Sequence, residues 1–420
     1  MQAAAISVLS GSLMMKNLKS EGKVSIVTAQ IQEYINTQSW IRRMFEAAAE
    51  LKAKYGAENV FDFSLGNPDV PPPPAVAEAV KQIATGVDKP LSLGYCPNAG
   101  LPDVRAALAS QVSLEQQTPV QAAHIIVTSG AAGALNTILR TILTPGDEVI
   151  CFAPYFVEYG FYAANYGGRL KAVPSKPMTF ELDVPSLEQA IGPNTRAMII
   201  NSPNNPSGVV YSTEELHAIA EVLKRKSKTF GRPILLLSDE PYRFLTYDGV
   251  ITPPILPQYD YSLVVSSFSK SLSMAGERIG YIAVNPAMPG LDLLLNGLIL
   301  SNRILGFVNA PIIGQRIIQA ALTAGVDVDI YDRRRKTMAA ILDDVGIEYT
   351  MPKGAFYFFP KAPSSMDDKV FVDRLMSENI IAVPGTGFGY PGYFRLTYCV
   401  DESIIKNSEA AWHRVMQKSN

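Results

Sequence analysis

The chain predicts an α/β fold: a large domain on a mostly parallel sheet with helices on both faces, followed by a smaller α+β domain. Three observations carry this. Short runs that are apolar throughout recur up to about residue 310, as strands buried on both faces do. Amphipathic segments with helical period lie between most of them. Beyond residue 310 the alternation gives way to a long helical stretch and an aromatic run.

The elements follow in order. Residues 3–15, AAAISVLSGSLMM, are mildly apolar but lack the basic segment that precedes a signal-peptide core, so residues 1–35 read as a flexible leader or arm, with Met14 or Met15 as alternative starts. SWIRRMFEAAAELKAKYG (39–56) predicts a helix that packs with the C-terminal part, which places residues 36–67 in the small domain. Four prolines at 71–74 mark an extended connector into a large domain, 68–310. HIIVT (124–128), EVICF (148–152), RAMIINS (196–202), ILLLSDE (234–240), SLVVSSF (262–268) and RIGYIAV (278–284) predict its strands. AGALNTILRTIL (132–143) and TEELHAIAEVLKRKS (213–227) predict helices between them. Residues 311–420 form the small domain, with helices at 328–345 and about 369–380, the run AFYFFP (355–360) and a strand YFRLTYC (393–399).

Composition narrows the function. The 420 residues are 47% hydrophobic and carry 37 basic against 39 acidic side chains, a formal net charge of −2. That balance gives no electrostatic footprint for nucleic acid or an anionic membrane, and no stretch approaches the apolar length of a membrane span. The three cysteines, Cys96, Cys151 and Cys399, and the three histidines, His124, His217 and His413, are scattered. They form neither a disulfide framework nor a metal-ligand spacing, so no metal is expected and a reducing cytoplasm fits.

Chemistry concentrates at strand ends, where ligands of doubly wound sheets sit. Lys270 follows the run Leu263–Val265, with Ser267 three residues before it and Arg278 eight after. A lysine that bonds covalently to a cofactor needs a rigid platform and an anion site beside it; Ser267 and Arg278 supply the latter. The alternative is a surface lysine in a serine-rich loop. SGAAGAL opens a helix whose first N–H groups, at Gly130, Ala131 and Ala132, can meet an anion, or else simply packs tightly with small residues. Phe156, in APYFVEYGFY, can stack on a flat heterocycle or belong to the core. Asn205, in NSPNNPSG, can donate to a phenolic oxygen or sit in a plain loop. Asp239 ends a fully apolar strand, where a lone carboxylate is costly; a cationic ring nitrogen would satisfy it, as would a turn to cap, and Tyr242 lies three residues on.

Taken in order, these strand ends followed by SFSKSLSMAGER resemble the fold-type-I pyridoxal 5'-phosphate enzymes, specifically the class I/II aminotransferases related to aspartate aminotransferase, over roughly residues 35–415. The resemblance implies that Lys270 is the Schiff-base residue, that Asp239 pairs with the pyridinium nitrogen, and that Tyr242 and Asn205 bond the ring hydroxyl. Phe156 would stack on the ring. Gly130, Ala131, Ala132, Ser267 and Arg278 would hold the phosphate, joined by Tyr95 of LGYCPNAGLPDVR from a neighbouring subunit, which implies a homodimer with composite active sites. SLGNPD (64–69) resembles the family's glycine motif, so the Gly66 backbone should lie near the substrate carboxylate, with Asn205 beside it. Arg395 matches the arginine that grips the α-carboxylate. In LSNRILGFVNAP, Arg303 stands about one residue out of register with the arginine that reads a distal carboxylate. The implied activity is transfer of an amino group between an amino acid and a 2-oxo acid by a ping-pong mechanism, with glutamate/2-oxoglutarate as one pair and aspartate or a similar amino acid in the other. Another fold-type-I reaction, a C–S β-lyase, racemase or decarboxylase, is the alternative. A DNA-binding regulator would need an added basic domain, for which the first 35 residues have neither length nor charge, and a non-catalytic binding protein would not need Lys270, Asp239, Tyr242 and Arg395 together.

Overall fold

The computed structural model describes residues 26–36, 40–363 and 366–417. Most of the leader, including both alternative starts, lies outside them. The first described stretch holds one short helix, Ala29–Asn36, in which Thr28 Oγ1 accepts from the Ile31 N–H at 3.2 Å.

From Trp40 onward the centre is a seven-stranded sheet: β1 (Ile125–Thr128), β2 (Glu148–Ala153), β3 (Arg169–Pro174), β4 (Thr195–Asn201), β5 (Leu235–Asp239), β6 (Ser262–Ser267) and β7 (Gly280–Val284). Their spatial order is β1-β7-β6-β5-β4-β2-β3, all parallel except β7, which runs against both β1 and β6. The apolar runs alternate between two cores. Ile125, Val127, Ile150, Met198, Leu236 and Val264 point to one face. Ile126, Val149, Cys151, Ala197, Leu237 and Val265 point to the other. Period-two side chains buried on both sides are what make these strands read as unbroken hydrophobic segments. The exception is β3, absent from the expected strands: in RLKAVP only Val173 is buried, because the strand lies at the sheet edge.

Helix ends sit close to expectation, with local reasons for the shifts. The helix after β1 starts at Gly130 rather than 132 and ends at Ile142. Only Pro71–Pro73 are extended; Pro74 opens the helix Pro74–Ala84, where its missing N–H has no intrahelical role. The helix Thr213–Phe230 begins with a capping box, Ser212 with Glu215, and ends at Gly231 in the left-handed region.

A third core joins the helices Trp40–Tyr55, Val328–Asp344 and Glu409–Gln417 through Met44, Ala48, Met338, Leu342 and Trp412, over the strands Tyr357–Phe358 and Phe394–Thr397. Those strands pair antiparallel, and Phe61–Asp62 pairs parallel with Ile380–Ile381. Two bidentate ion pairs tie the helix Val328–Asp344 to loops: Arg334 to Asp69 at 2.7 and 2.8 Å, and Arg335 to Asp248 at 3.1 and 2.9 Å. Among the described residues no helix is long and apolar enough to cross a membrane.

Candidate active site

Because β2, β4, β5 and β6 are parallel, their carboxyl ends share one edge of the sheet; β1 ends there too, and the antiparallel β7 starts there. Side chains just past those ends therefore converge. They line a cavity of about 350 Å³ closed on its far side by Leu65, Gly66, Tyr357 and Arg395.

Lys270 lies in a single helical turn, Phe268–Ser271, directly after β6. Its Nζ donates to the Gly66 carbonyl at 2.7 Å and stands 5.3 Å above the Phe356 ring. Burial pushes its pKa down to about 8, with Arg395 and Arg278 acting the same way and the Cys399 thiol opposing.

Asp239, the last residue of β5, is buried. Its Oδ2 accepts from the Tyr159 hydroxyl at 2.5 Å, whereas its Oδ1 is buried without a partner. Burial raises its pKa to about 7; the Tyr159 bond works against this and the neighbouring Glu240 carboxylate adds to it. Asn201 ties adjacent strand ends together, its amide donating to the Asp239 carbonyl at 2.8 Å and its Oδ1 accepting from the Asn205 N–H at 2.7 Å.

Arg395 is buried in the strand Phe394–Thr397. It donates to Asn205 Oδ1 at 3.0 Å and to the Ser64 carbonyl, and it stacks on Tyr357 and Phe388 at 4.7 and 4.8 Å. No carboxylate pairs with it among the described residues, and its Nε has no partner. A guanidinium only donates, so Asn205 must present its oxygen to Arg395, which leaves its NH2 as the group available elsewhere. The Tyr242 hydroxyl is 3.1 Å from that of Tyr357.

The anion side is built from backbone. Ala131 and Ala132, at the N-terminus of the helix Gly130–Ile142, line the cavity together with Ser267 and Arg278. Arg278 holds a left-handed φ of 51° and donates to the Ala275 carbonyl at 3.0 Å. Its guanidinium passes over Gly130, 2.6 Å from where a Cβ would stand, and the left-handed φ of 70° at Gly130 is what favours glycine there.

Of the residues singled out by sequence, Gly66, Ala131, Ala132, Phe156, Asn205, Asp239, Tyr242, Ser267, Lys270, Arg278 and Arg395 all line this cavity, and Gly130 packs on Arg278 beside it. Tyr95 is 91% exposed and Arg303 is exposed on the last turn of the helix Leu291–Ile304; this chain alone brings neither into the cavity. Sequence reasoning missed Tyr159, Asn201 and Tyr357. Tyr159 carried a signal: it lies three residues after Phe156, and the two rings meet edge to face at 5.7 Å. Elsewhere, His413 does not stand alone, since His413, Glu409 and Asp344 bring ligand atoms within 4.8 Å of one another at the surface. His413 Nε2 is 2.8 Å from Asp344 Oδ2.

Residues 58–408 match a family model described as "Aminotransferase class I and II". The chain is 32% identical over 371 residues to a probable aspartate/prephenate aminotransferase of Aquifex aeolicus, covering 85% of this chain and 91% of that protein. Among solved structures it is similar to an amino transferase from Eubacterium rectale, with a TM-score of 0.91, 38% identity and coverage of 94% of this chain and 100% of that one. It is also similar to the aspartate aminotransferase of Thermus thermophilus with maleate, with a TM-score of 0.81, 29% identity and coverage of 93% and 100%.

Proposed function

Because this chain belongs to the class I and II aminotransferases and works with pyridoxal 5'-phosphate, we propose that it exchanges an amino group between glutamate/2-oxoglutarate and a second pair built on aspartate or a similar amino acid, in two half-reactions of ping-pong type. The observation that carries the reading is one cavity holding Lys270 Nζ, an unpartnered buried Asp239 Oδ1 and an Arg395 without a carboxylate.

The residues present fit the cofactor. A cationic ring nitrogen would satisfy the orphaned Asp239 Oδ1, and its charge would oppose the rise that burial imposes on Asp239. Asn205 Nδ2 and the Tyr242 hydroxyl would be the donors for the ring oxygen, and Phe156 would be the stacking face. The N–H groups at Gly130, Ala131 and Ala132, the Ser267 hydroxyl and the Arg278 fork suit a phosphate. When bound, the cofactor supplies the electron sink for charge developing at the substrate Cα.

The protein's own groups orient and move protons. Arg395 takes the α-carboxylate in a bidentate pair and, with the Gly66 backbone, fixes the Cα–H toward Lys270. Lys270 Nζ, with its pKa pulled to about 8, is neutral in a useful fraction near neutral pH, so it would take the Cα proton as a base and then, as an acid, release it to the cofactor's C4′ instead of back to Cα.

Leu91, Leu93 and Tyr95 are exposed, as are Leu293, Leu300 and Ile304 on one stripe of the helix that carries Arg303. This supports a homodimer in which Tyr95 and Arg303 complete the partner's site, Tyr95 at the phosphate and Arg303 at a distal carboxylate. A cytoplasmic location is part of the same reading. The test is a donor and acceptor screen with purified holoenzyme, following the cofactor's absorbance change and the 2-oxo acid released. Prephenate belongs among the acceptors, given the names of the relatives. Carbon dioxide or D-amino acid as the dominant product, without 2-oxo acid, would instead identify a decarboxylase or racemase, and thiol or sulfide released with ammonia and a 2-oxo acid, with no amino acceptor required, would identify a β-lyase.

A further inference from the structure

Tyr357 has no role in the scheme so far, yet three parts of the site meet on it. Its hydroxyl is 3.1 Å from the Tyr242 hydroxyl. Its ring carries the Arg395 guanidinium at 4.7 Å. Its hydroxyl also lies against Gly66, whose carbonyl accepts from Lys270, so closely that a Cβ on Gly66 would stand 2.1 Å from it.

Each phenol has one proton to donate and lone pairs to accept with. In the tyrosine pair alone either hydroxyl can be the donor. A ring oxygen carrying negative charge only accepts. Once Tyr242 gives its proton to such an oxygen, the bond between the two tyrosines has to be donated by Tyr357. We infer that Tyr357 is a positioning residue of the transamination site: its hydroxyl donates to Tyr242, and thereby orients and strengthens Tyr242's own hydrogen bond to the cofactor's ring oxygen. The inference rests on the pyridoxal-phosphate reading above. Donor chains of this kind reinforce each bond, and the buried setting sharpens the effect.

The charged and titratable groups facing the pair are Arg395, which acts on both tyrosines, Asp239 toward Tyr242 and Cys399 toward Tyr357, with Lys270 next to Cys399 and Arg395. Burial raises both phenols, so both hydroxyls keep their protons at neutral pH. Burial also holds the Cys399 thiol up at about 11. Asp239 and Lys270 are present in wild type and variant alike, so a difference between the two reports on the tyrosine pair. A bond donated to the anionic ring oxygen favours the deprotonated form of the bound cofactor. Weakening that bond therefore moves the cofactor's titration to higher pH.

The experiment is a spectrophotometric pH titration of the visible band of pyridoxal phosphate bound to wild type, Tyr357→Phe, Tyr242→Phe and the double variant. Tyr357→Phe keeps the ring under Arg395. Its midpoint should rise by roughly half a pH unit, as expected for weakening one hydrogen bond, with KM for the amino acid held within about twofold. In the Tyr242→Phe background the same substitution should add no shift. A Tyr357→Phe titration that superimposes on wild type, or an undiminished shift without the Tyr242 hydroxyl, overturns the relay. Absence of a visible band and of a borohydride-stable adduct in wild type would overturn the cofactor reading and the relay with it. A normal band with an unmoved midpoint overturns the relay alone.

Discussion

On one side of the cavity, Asp239, Asn201 and Lys270 stand at or just past the ends of strands locked by apolar ladders on both faces. On the other side, Gly66, Tyr357 and Arg395 come from segments far apart in the chain; Arg395 bonds the Ser64 carbonyl across 331 positions. The sheet side is placed by backbone register, in which a one-residue slip would turn every side chain to the wrong face. The far side combines a short antiparallel strand pair, in which Thr397 lies opposite Tyr357, with side-chain ties between distant segments: the Arg334–Asp69 fork, the Asn205–Arg395 bond and the tyrosine pair. A cofactor that must be held still suits the first construction, and a substrate that must enter and leave suits the second.

Substitution of the sheet-side Lys270 and Asp239 should therefore remove chemistry, and loss of the far-side Arg395 should change recognition. Lys270→Ala carries the largest expected effect. It removes the only amine in the cavity among the described residues, so transamination should fall by on the order of 10⁴-fold or more, as for loss of a covalent nucleophile and base. The borohydride-reducible adduct should vanish. An adduct persisting on another lysine would show that the sheet side does not deliver the reactive group.

Asp239→Ala comes next. The residues proposed to hold the phosphate are untouched, so cofactor should still bind, while turnover should drop by on the order of 10²–10⁴-fold because, on the proposed role, the ring nitrogen would lose the carboxylate that keeps it protonated. Turnover within a few fold of wild type, measured at saturating cofactor, would reject that role and the assignment of Asp239 Oδ1 as the ring's partner.

The same division explains what was legible in the sequence. EVICF, RAMIIN, ILLLSD and LVVSS were readable as strands because burial on both faces leaves no polar interruption, and the residues after them were readable as a site because parallel strands end on one edge. β3 was not readable, since RLKAVP buries one residue in six and looks like a loop. Tyr357 was hidden in AFYFFP, where all four aromatics, Phe356 to Phe359, are buried; only tertiary packing decides which one meets Tyr242 and Arg395. Tyr159 carried only its spacing from Phe156; among the aromatics of YFVEYGFY it is singled out by the strand end that puts Asp239 within reach of its hydroxyl. The antiparallel direction of β7 was equally unmarked, because a strand buried on both faces reads the same in either sense.

The smallest effect tests the far side at its edge, with Arg395→Ala as the reference. Arg395 is buried and is the proposed partner of the α-carboxylate common to all amino acids, so its loss should cost about 2–5 kcal/mol in kcat/KM for every substrate. Arg303 is exposed at the end of the helix Leu291–Ile304, beside the exposed Leu300 and Ile304, and under the proposed dimer it would reach a substrate across the subunit contact. Solvent there weakens a charge pair, so a pair with a distal carboxylate should be worth about 2 kcal/mol, the low end of that range. Arg303→Ala should therefore lower kcat/KM for aspartate, glutamate and 2-oxoglutarate by on the order of 30-fold while sparing monocarboxylic substrates. The measurement is the ratio of kcat/KM for a dicarboxylic and a monocarboxylic substrate in wild type and variant, with the dimer checked by sedimentation. A ratio that does not move while the subunit assembly stays intact removes Arg303 from substrate recognition, and specificity must then lie with residues lining the cavity itself.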